Sequence, residues 1–454
     1  MNEDKLKLTF YGGAGSVTGS NFLLEGNGKK FLIDCGLLQG TKIAEDTNWE
    51  PFIYKASEID ILFITHAHID HIGLIPKLIS EGFKGKIYST KPTQAMIEVM
   101  LDDTAHILSR DKEHNLNEIY TEENIKKAVS LWKGLEYHQV LNIDHGFQFS
   151  YKDAGHILGS GILEVVYDGQ KIVFTGDLGN SPSPILPNTE KIIDASYLVM
   201  ESVYGNRNHE DRDIRSQTLK EVIQQNYDRK GTLMIPSFSL ERTQELIYEM
   251  NLFVENKIVP QMPVFLDSPL SIKLTKIYKG LDKYFNEKTR NIIKEGDNIF
   301  NFPGLKMTEE TIESKEILEV PSPKIIIAGS GMSNGGRIIH HEKNYLPNPN
   351  NTLLLIGYQA LGTLGRTIED GAKKIHLLGE KIPIKAHIEI ISGYSGHKDS
   401  DHLVEFVADS AKTLKKVFVV MGEPRSSLFL AQKLRDNLGV KAIVPELGQS
   451  VLLE

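Results

Sequence analysis

Residues 60–71 read Asp60-Ile61-Leu62-Phe63-Ile64-Thr65-His66-Ala67-His68-Ile69-Asp70-His71. An apolar, strand-like run is followed at once by four potential metal ligands within six residues. A helix would bring only residues three or four apart onto one face. His66, His68, Asp70 and His71 can therefore converge only if they lie on a loop at the end of the strand. Imidazole nitrogens and carboxylate oxygens suit zinc and other first-row metals. A lone histidine is usually incidental, and most of the 15 here are read that way. The cluster is not.

Further strand candidates lie on both sides of this loop. Leu6–Tyr11, Lys30–Asp34 and Lys86–Ser89 belong to the same early series. Ile162–Tyr167 and Lys171–Thr175 flank Asp168-Gly169, a strong hairpin signal. Then come Tyr197–Glu201, Thr232–Pro236, Val264–Asp267, Lys324–Ala328, Thr352–Gly357, Ile388–Ser392 and Lys416–Met421. Helical periodicity marks Glu241–Glu255 and Ser426–Leu438, and a third helix is expected to start near Asp399-Ser400. The alternating charges of 110–133 read as a solvated helical face. Many strands with helices between them predict an α/β architecture, and 454 residues suggest two domains.

The bulk composition narrows the class. With 40% hydrophobic and 24% charged residues the chain is globular. Its apolar runs are strand-sized, so no membrane span is expected. Asn2-Glu3-Asp4-Lys5 lacks the pattern of a signal peptide, and a single cysteine, Cys35, fits a reducing cytoplasm. The formal charge of −9 argues against a module that holds nucleic acid by phosphate neutralisation alone. An enzyme that grips phosphates locally is still compatible with it.

Two later residues extend the constellation. His156 sits in Asp153-Ala154-Gly155-His156-Ile157-Leu158-Gly159-Ser160-Gly161, a glycine-flanked turn, and Asp177 in Phe174-Thr175-Gly176-Asp177-Leu178-Gly179 at a strand end. With Asp34 after the second strand, the ordered series resembles the metallo-β-lactamase superfamily. That resemblance implies that His66, His68 and His156 bind one metal, that Asp70 and His71 bind another, and that Asp177 bridges them. Asp34 would orient ligands without binding metal.

Beyond Asp177 the chain is similar to the β-CASP nucleases of that superfamily. Tyr197-Leu198-Val199-Met200-Glu201-Ser202-Val203-Tyr204-Gly205-Asn206-Arg207 matches the first added motif, with Glu201 as its acid. Ser392-Gly393-Tyr394-Ser395-Gly396-His397 matches the second, whose histidine faces the scissile phosphate. The resemblance covers nearly the whole chain. It implies an αββα sandwich from residues 1–205 and 376–454, with 206–375 inserted as an α/β cap and the active site in the cleft between. No N-terminal RNA-binding domain is expected, because the first strand begins within ten residues of the start. In the cap, Arg242 and the loop Ser330-Gly331-Met332-Ser333 are candidate phosphate contacts, by planar bidentate donation and by free backbone N–H groups and hydroxyls. One position departs from the pattern. Met421 stands where RNA-processing members carry a strand-end histidine, and a thioether is a poor ligand for a hydrolytic zinc site.

The function expected is metal-dependent phosphodiester hydrolysis, most simply of single-stranded RNA in RNA processing or decay. A hydroxide held between the metals would attack phosphorus. Asp70, Asp177, Glu201 and His397 are the catalytic candidates, with His397 as proton donor. The cofactors expected are two divalent ions, zinc first with manganese or iron as alternatives, the second held more weakly because of Met421. DNA cleavage, hydrolysis of a small substrate and a catalytically weakened nucleic-acid-binding scaffold are the competing functions. The expected setting is cytoplasmic, without a membrane partner, and a homodimer is among the assemblies considered.

Overall fold

The computed structural model describes residues 5–40, 42–109, 114, 116–209, 212–360 and 362–454. The readings of Asn2-Glu3-Asp4 and of 110–113 and 115 within the charged segment lie outside these. The chain divides into two compact units, Met1–Asn208 with His397–Glu454, and His209–Gly396. Among the described residues no helix is long and apolar enough to cross a membrane.

The first unit contains two seven-stranded sheets. One runs, edge to edge, Ser450–Leu453, Leu6–Phe10, Phe22–Gly26, Lys29–Ile33, Ile61–Phe63, Lys86–Thr90 and Trp132–Leu135. The other runs Ala442–Ile443, Lys416–Val419, Tyr197–Met200, Gln170–Phe174, Gly161–Tyr167, Phe147–Asp153 and Leu141–Ile143. Alternate residues of these strands meet in one buried cluster, because side chains along a strand alternate between its faces. Phe31 lies 4.8 Å from Phe147, and Phe63 stacks on Phe149 at 4.2 Å. The opposite face of the second sheet packs Val173, Leu198, Val417 and Val419 against Leu403, Val407, Leu430 and Leu434 of helices Ser400–Ala408 and Pro424–Leu438. Helix Lys91–Leu108 packs on Lys86–Thr90 and Trp132–Leu135 of the first sheet, and Glu122–Leu131 on Lys86–Thr90. The layers are therefore αββα. The hairpin at Asp168-Gly169 turns with φ of 46° and 70°, both positive as a two-residue type I′ turn requires.

Strand direction sets the site. Lys29–Ile33 and Ile61–Phe63 are parallel, as are Gln170–Phe174, Tyr197–Met200 and Lys416–Val419. Asp34, His66, Asp177, Glu201 and Met421 all follow the carboxyl ends of these strands, the position where parallel α/β sheets hold ligands.

The second unit is built on a six-stranded sheet in the order Leu305–Met307, Val264–Asp267, Lys324–Ala328, Thr232–Pro236, Thr352–Ile356 and His387–Ile391, with every pairing parallel. Lys324–Ala328 and Thr352–Ile356 are buried along their whole length, the pattern of a sheet covered on both faces. A two-stranded ribbon, Lys374–Leu377 with Glu380–Pro383, joins Thr352–Ile356 to the edge strand His387–Ile391. Residues 376–396 thus run with the second unit, because His387–Ile391 completes its sheet, and the return begins at His397.

Candidate metal centre and active site

The His66–His71 segment leaves its strand as a short loop and enters the helical turn Ile69–Ile72. Helix Lys91–Leu108, the turn after Asp153 and the strand end at Phe174 close around it. His66, His156 and Asp177 are 0%, 3% and 3% exposed. His66 Nε2 lies 3.0 Å from His68 Nδ1, and His156 Nε2 lies 3.3 Å from that same nitrogen. Asp177 Oδ2 is 3.4 Å from His66 Nε2 and 3.5 Å from His156 Nε2. Tetrahedral ligands bound at about 2.0–2.1 Å stand about 3.3–3.4 Å apart. The four separations just given, 3.0–3.5 Å, are close to that spacing, and all four atoms lie within 4.8 Å of one another. A cation at their centre satisfies all of them at once, which pairwise hydrogen bonding cannot do. Burial lowers the pKa of each of the three histidines, which favours the neutral imidazole that offers a lone pair to a metal.

A second set lies beside the first. His71 Nε2 is 3.4 Å from Asp177 Oδ1 and 3.7 Å from Asp70 Oδ2. Both His71 Nε2 and Asp177 Oδ1 are buried without a hydrogen-bond partner, a costly arrangement unless a cation meets them. Burial works against charge on His71, but Asp177, Asp34 and Asp70 outweigh it and hold its pKa well above the ordinary value. The pocket therefore favours positive charge. Asp34 supplies the orientation, as its Oδ2 lies 2.7 Å from His71 Nδ1. Its carboxylate also accepts from Ser20 Oγ at 2.9 Å, from the Thr65 N–H at 2.8 Å and from Thr65 Oγ1. Ser20 and Thr65 were not picked out from sequence. The adjacency of Thr65 to His66 was the only available signal.

Glu201 and His397 adjoin Asp177. His397 Nδ1 lies 3.1 Å from both carboxylate oxygens of Glu201 and 4.0 Å from Asp177 Oδ2. Burial lowers the pKa of His397, yet Glu201 and Asp177 together overcome it and push the value up to about 9. Glu201 is fully buried and its Oε1 accepts from the Leu178 N–H at 2.6 Å. Asp177, Glu201 and His397 form a further grouping able to hold an ion, which the sequence reading did not anticipate. Tyr204 lies 6.3 Å from His397 with Arg207 4.6 Å over its ring. The Ser400 hydroxyl donates to Gly205 O, lacing the two motifs together.

Met421 follows its strand with φ of 47° and is buried in the inter-sheet cluster. Its N–H donates to Gly13 O at 2.7 Å, and its sulfur packs where a Gly13 side chain would stand.

The second unit places the phosphate candidates as follows. Arg242 is 8% exposed, and its Nη1 donates to Glu245 Oε2 at 2.5 Å and to Tyr394 O at 2.9 Å. Ser333 is fully buried and its hydroxyl donates to Glu342 Oε1 at 2.5 Å. Burial raises the pKa of Glu342 to about 8. Gly331 O and Met332 O accept from Gln359 Nε2 and Gly365 N. Ser330 is half-buried at the carboxyl end of Lys324–Ala328. Beside that strand end, Ser239 Oγ and Ser268 Oγ stand 3.5 Å apart.

Comparison with known proteins gives a consistent assignment. Residues 23–202 match the metallo-beta-lactamase superfamily domain, 243–368 the Beta-Casp domain, and 381–445 the Zn-dependent metallo-hydrolase RNA specificity domain. The chain is 33% identical to ribonuclease TTHA0252 of Thermus thermophilus, over 98% of this chain and 100% of that one. It is 32% identical to an RNase J-like protein of Methanocaldococcus jannaschii, over 97% and 98%. It is 29% identical to the transcription termination factor FttA of Methanosarcina mazei, over 96% of this chain and 70% of that one.

Proposed function

The chain belongs to the β-CASP group of the metallo-β-lactamase superfamily, and on that footing we propose that it is a metal-dependent ribonuclease. The observation that carries the reading is the convergence of His66, His68, His156 and Asp177, all but the half-buried His68 buried, with ligand atoms within 4.8 Å of one another and the unpartnered His71 Nε2 and Asp177 Oδ1 alongside. The fold implies a divalent metal. Our reading takes zinc, as two ions: one held by His66, His68, His156 and Asp177, the other by Asp70, His71 and Asp177. The second would be the weaker, since Met421 contributes no imidazole. When bound, such ions supply Lewis acidity and bring the pKa of water toward neutrality.

The residues of this chain have the following roles in that reading. Asp177 offers one carboxylate oxygen to each ligand set and fixes their separation. Asp34 holds the His71 tautomer that leaves Nε2 unprotonated. Glu201 fixes the His397 ring through Nδ1 and favours its protonated form. His397 can then deliver a proton from Nε2 to the leaving oxygen, the general-acid role. Ser330, with Ser239 and Ser268, is the remaining hydroxyl contact for backbone phosphates, since the Ser333 hydroxyl and Arg242 are committed within the second unit. The same reading takes single-stranded RNA as the polymer and the cytoplasm as the setting, with a homodimer as the assembly to be checked by light scattering. DNA is the second reading, favoured by Met421 alone.

The test is incubation of metal-reconstituted protein with 5′- and 3′-labelled RNA and DNA of matched sequence. RNA cleavage that is removed by a chelator, restored by zinc or manganese, and lost in H156A and D70A with folding intact is the expected result. Undiminished cleavage by both variants would sink the assignment. Cleavage of DNA alone would favour the second reading.

A further inference from the structure

The chain leaves the second unit at Gly396 and enters the first at His397. The candidate proton donor is thus the first residue of a crossover. On its upstream side the crossover is clamped. The Arg215 guanidinium donates to Gly393 O at 3.2 Å and lies 4.1 Å over the Tyr394 ring. Arg242 donates to Tyr394 O at 2.9 Å, and the Tyr394 hydroxyl donates to Glu249 Oε2 at 2.6 Å. Tyr394, Arg215, Arg242 and Glu249 are 0%, 4%, 8% and 8% exposed. A Cβ at Gly393 would stand 3.2–3.4 Å from the Arg215 side chain, which would have to give by a few tenths of an ångström. On its downstream side, His397 bridges Gly179 and the Lys398 N–H donates to Leu178 O at 2.8 Å. Only Ser395 and Gly396 separate the two fixed points, a reach of about 10 Å of extended chain. Through so short a tether a shift of the Tyr394 backbone can be passed along the chain to His397.

We propose that Arg242 and Arg215 are positioning residues that set the placement of the His397 imidazole by clamping Gly393 and Tyr394. The inference rests on the role assigned to His397 above. It replaces phosphate binding as the function of Arg242. Its Nη1 already donates to Glu245 and to a backbone carbonyl, whereas a bidentate phosphate contact would need the guanidinium fork turned outward.

Cleavage of a 5′-labelled single-stranded RNA oligonucleotide by the metal-loaded full chain decides the matter. R242K keeps a cation opposite Glu245 but falls short of the Tyr394 carbonyl. It should lower kcat tenfold or more with KM held within twofold. In an H397A background R242K should lower kcat no further than twofold, because interacting sites do not combine independently. G393A, which removes no charge, should lower kcat at least threefold in the wild-type background only, and it decides the question if R242K fails to fold by circular dichroism. A rise in KM with kcat unchanged would overturn the proposal in favour of a phosphate contact. An equal factor in both backgrounds would also overturn it, leaving His397 its role. If H397A itself keeps wild-type kcat, the reading of His397 fails, and the positioning role with it.

Discussion

Replacing Asp34 by asparagine tests the second ligand set without touching any ligand. Oδ1 of Asp34 receives the Thr65 N–H at 2.8 Å, a donor fixed in the backbone, so the asparagine oxygen must stay there. The amide nitrogen then takes the place of Oδ2, which lies 2.7 Å from His71 Nδ1. A donor facing Nδ1 forces that nitrogen to accept, and the ring proton moves to Nε2, the atom that points toward Asp177 Oδ1 and Asp70. The ligand lone pair is lost in the favoured tautomer. Disrupting such an orienting partner costs about 10–100-fold in metal affinity, or about 1.4–2.8 kcal/mol. Competition titration against a chelator of known affinity resolves the two ions proposed above. The weaker should lose about 10–100-fold, whereas the ion held by His66, His68 and His156 should shift by less than about threefold. Equal loss at both sites, or no loss at either, would refute the tautomer argument.

Two further outcomes are expected. Glu342 is a buried carboxylic acid with its pKa raised to about 8. A folded value above the unfolded one means its contribution is complete below about pH 4.5 and declines as pH rises toward 8. E342Q should therefore raise the thermal unfolding midpoint at pH 8 and leave it nearly unchanged at pH 4.5, and an equal shift at both would contradict the assignment. Phe149 is 1% exposed and packs between Phe31 and Phe63 at 4.9 and 4.2 Å. F149A should cost about 3–5 kcal/mol in urea unfolding, and a loss below about 1 kcal/mol would mean the inter-sheet core closes over the gap.

Much of this arrangement is legible in the residues. Thr232–Pro236, Val264–Asp267 and Lys324–Ala328 emerge from the sequence with the observed ends because buried parallel strands are continuous apolar runs between polar breaks. The strands Phe22–Gly26 and Phe147–Asp153 were not singled out. Phe147–Asp153 alternates between faces and interleaves Gln148, Ser150 and Lys152, and Phe22–Gly26 offers only three apolar residues before Glu25, too short a run to stand out. Edge strand His387–Ile391 was visible, but its allegiance was not, since pairing with Thr352–Ile356 is a matter of spatial order alone. The ligand loop was legible because its chemistry is local. The commitments of Arg242 and Ser333 were hidden because each is satisfied by a partner that proximity in sequence does not single out as its own.

The pairing of Ser450–Leu453 with Leu6–Phe10 bears on how the protein is made. The first sheet lacks its edge until residue 453 has cleared the ribosome, and the His66 loop waits for His397 while the whole second unit is synthesised. At about 5–20 residues per second that interval is roughly 15–70 s. During it the nascent chain is tethered to its own messenger RNA. The ligand loop of an enzyme that cuts RNA thus emerges early, while the proposed proton donor, His397, joins it only after the second unit has been made.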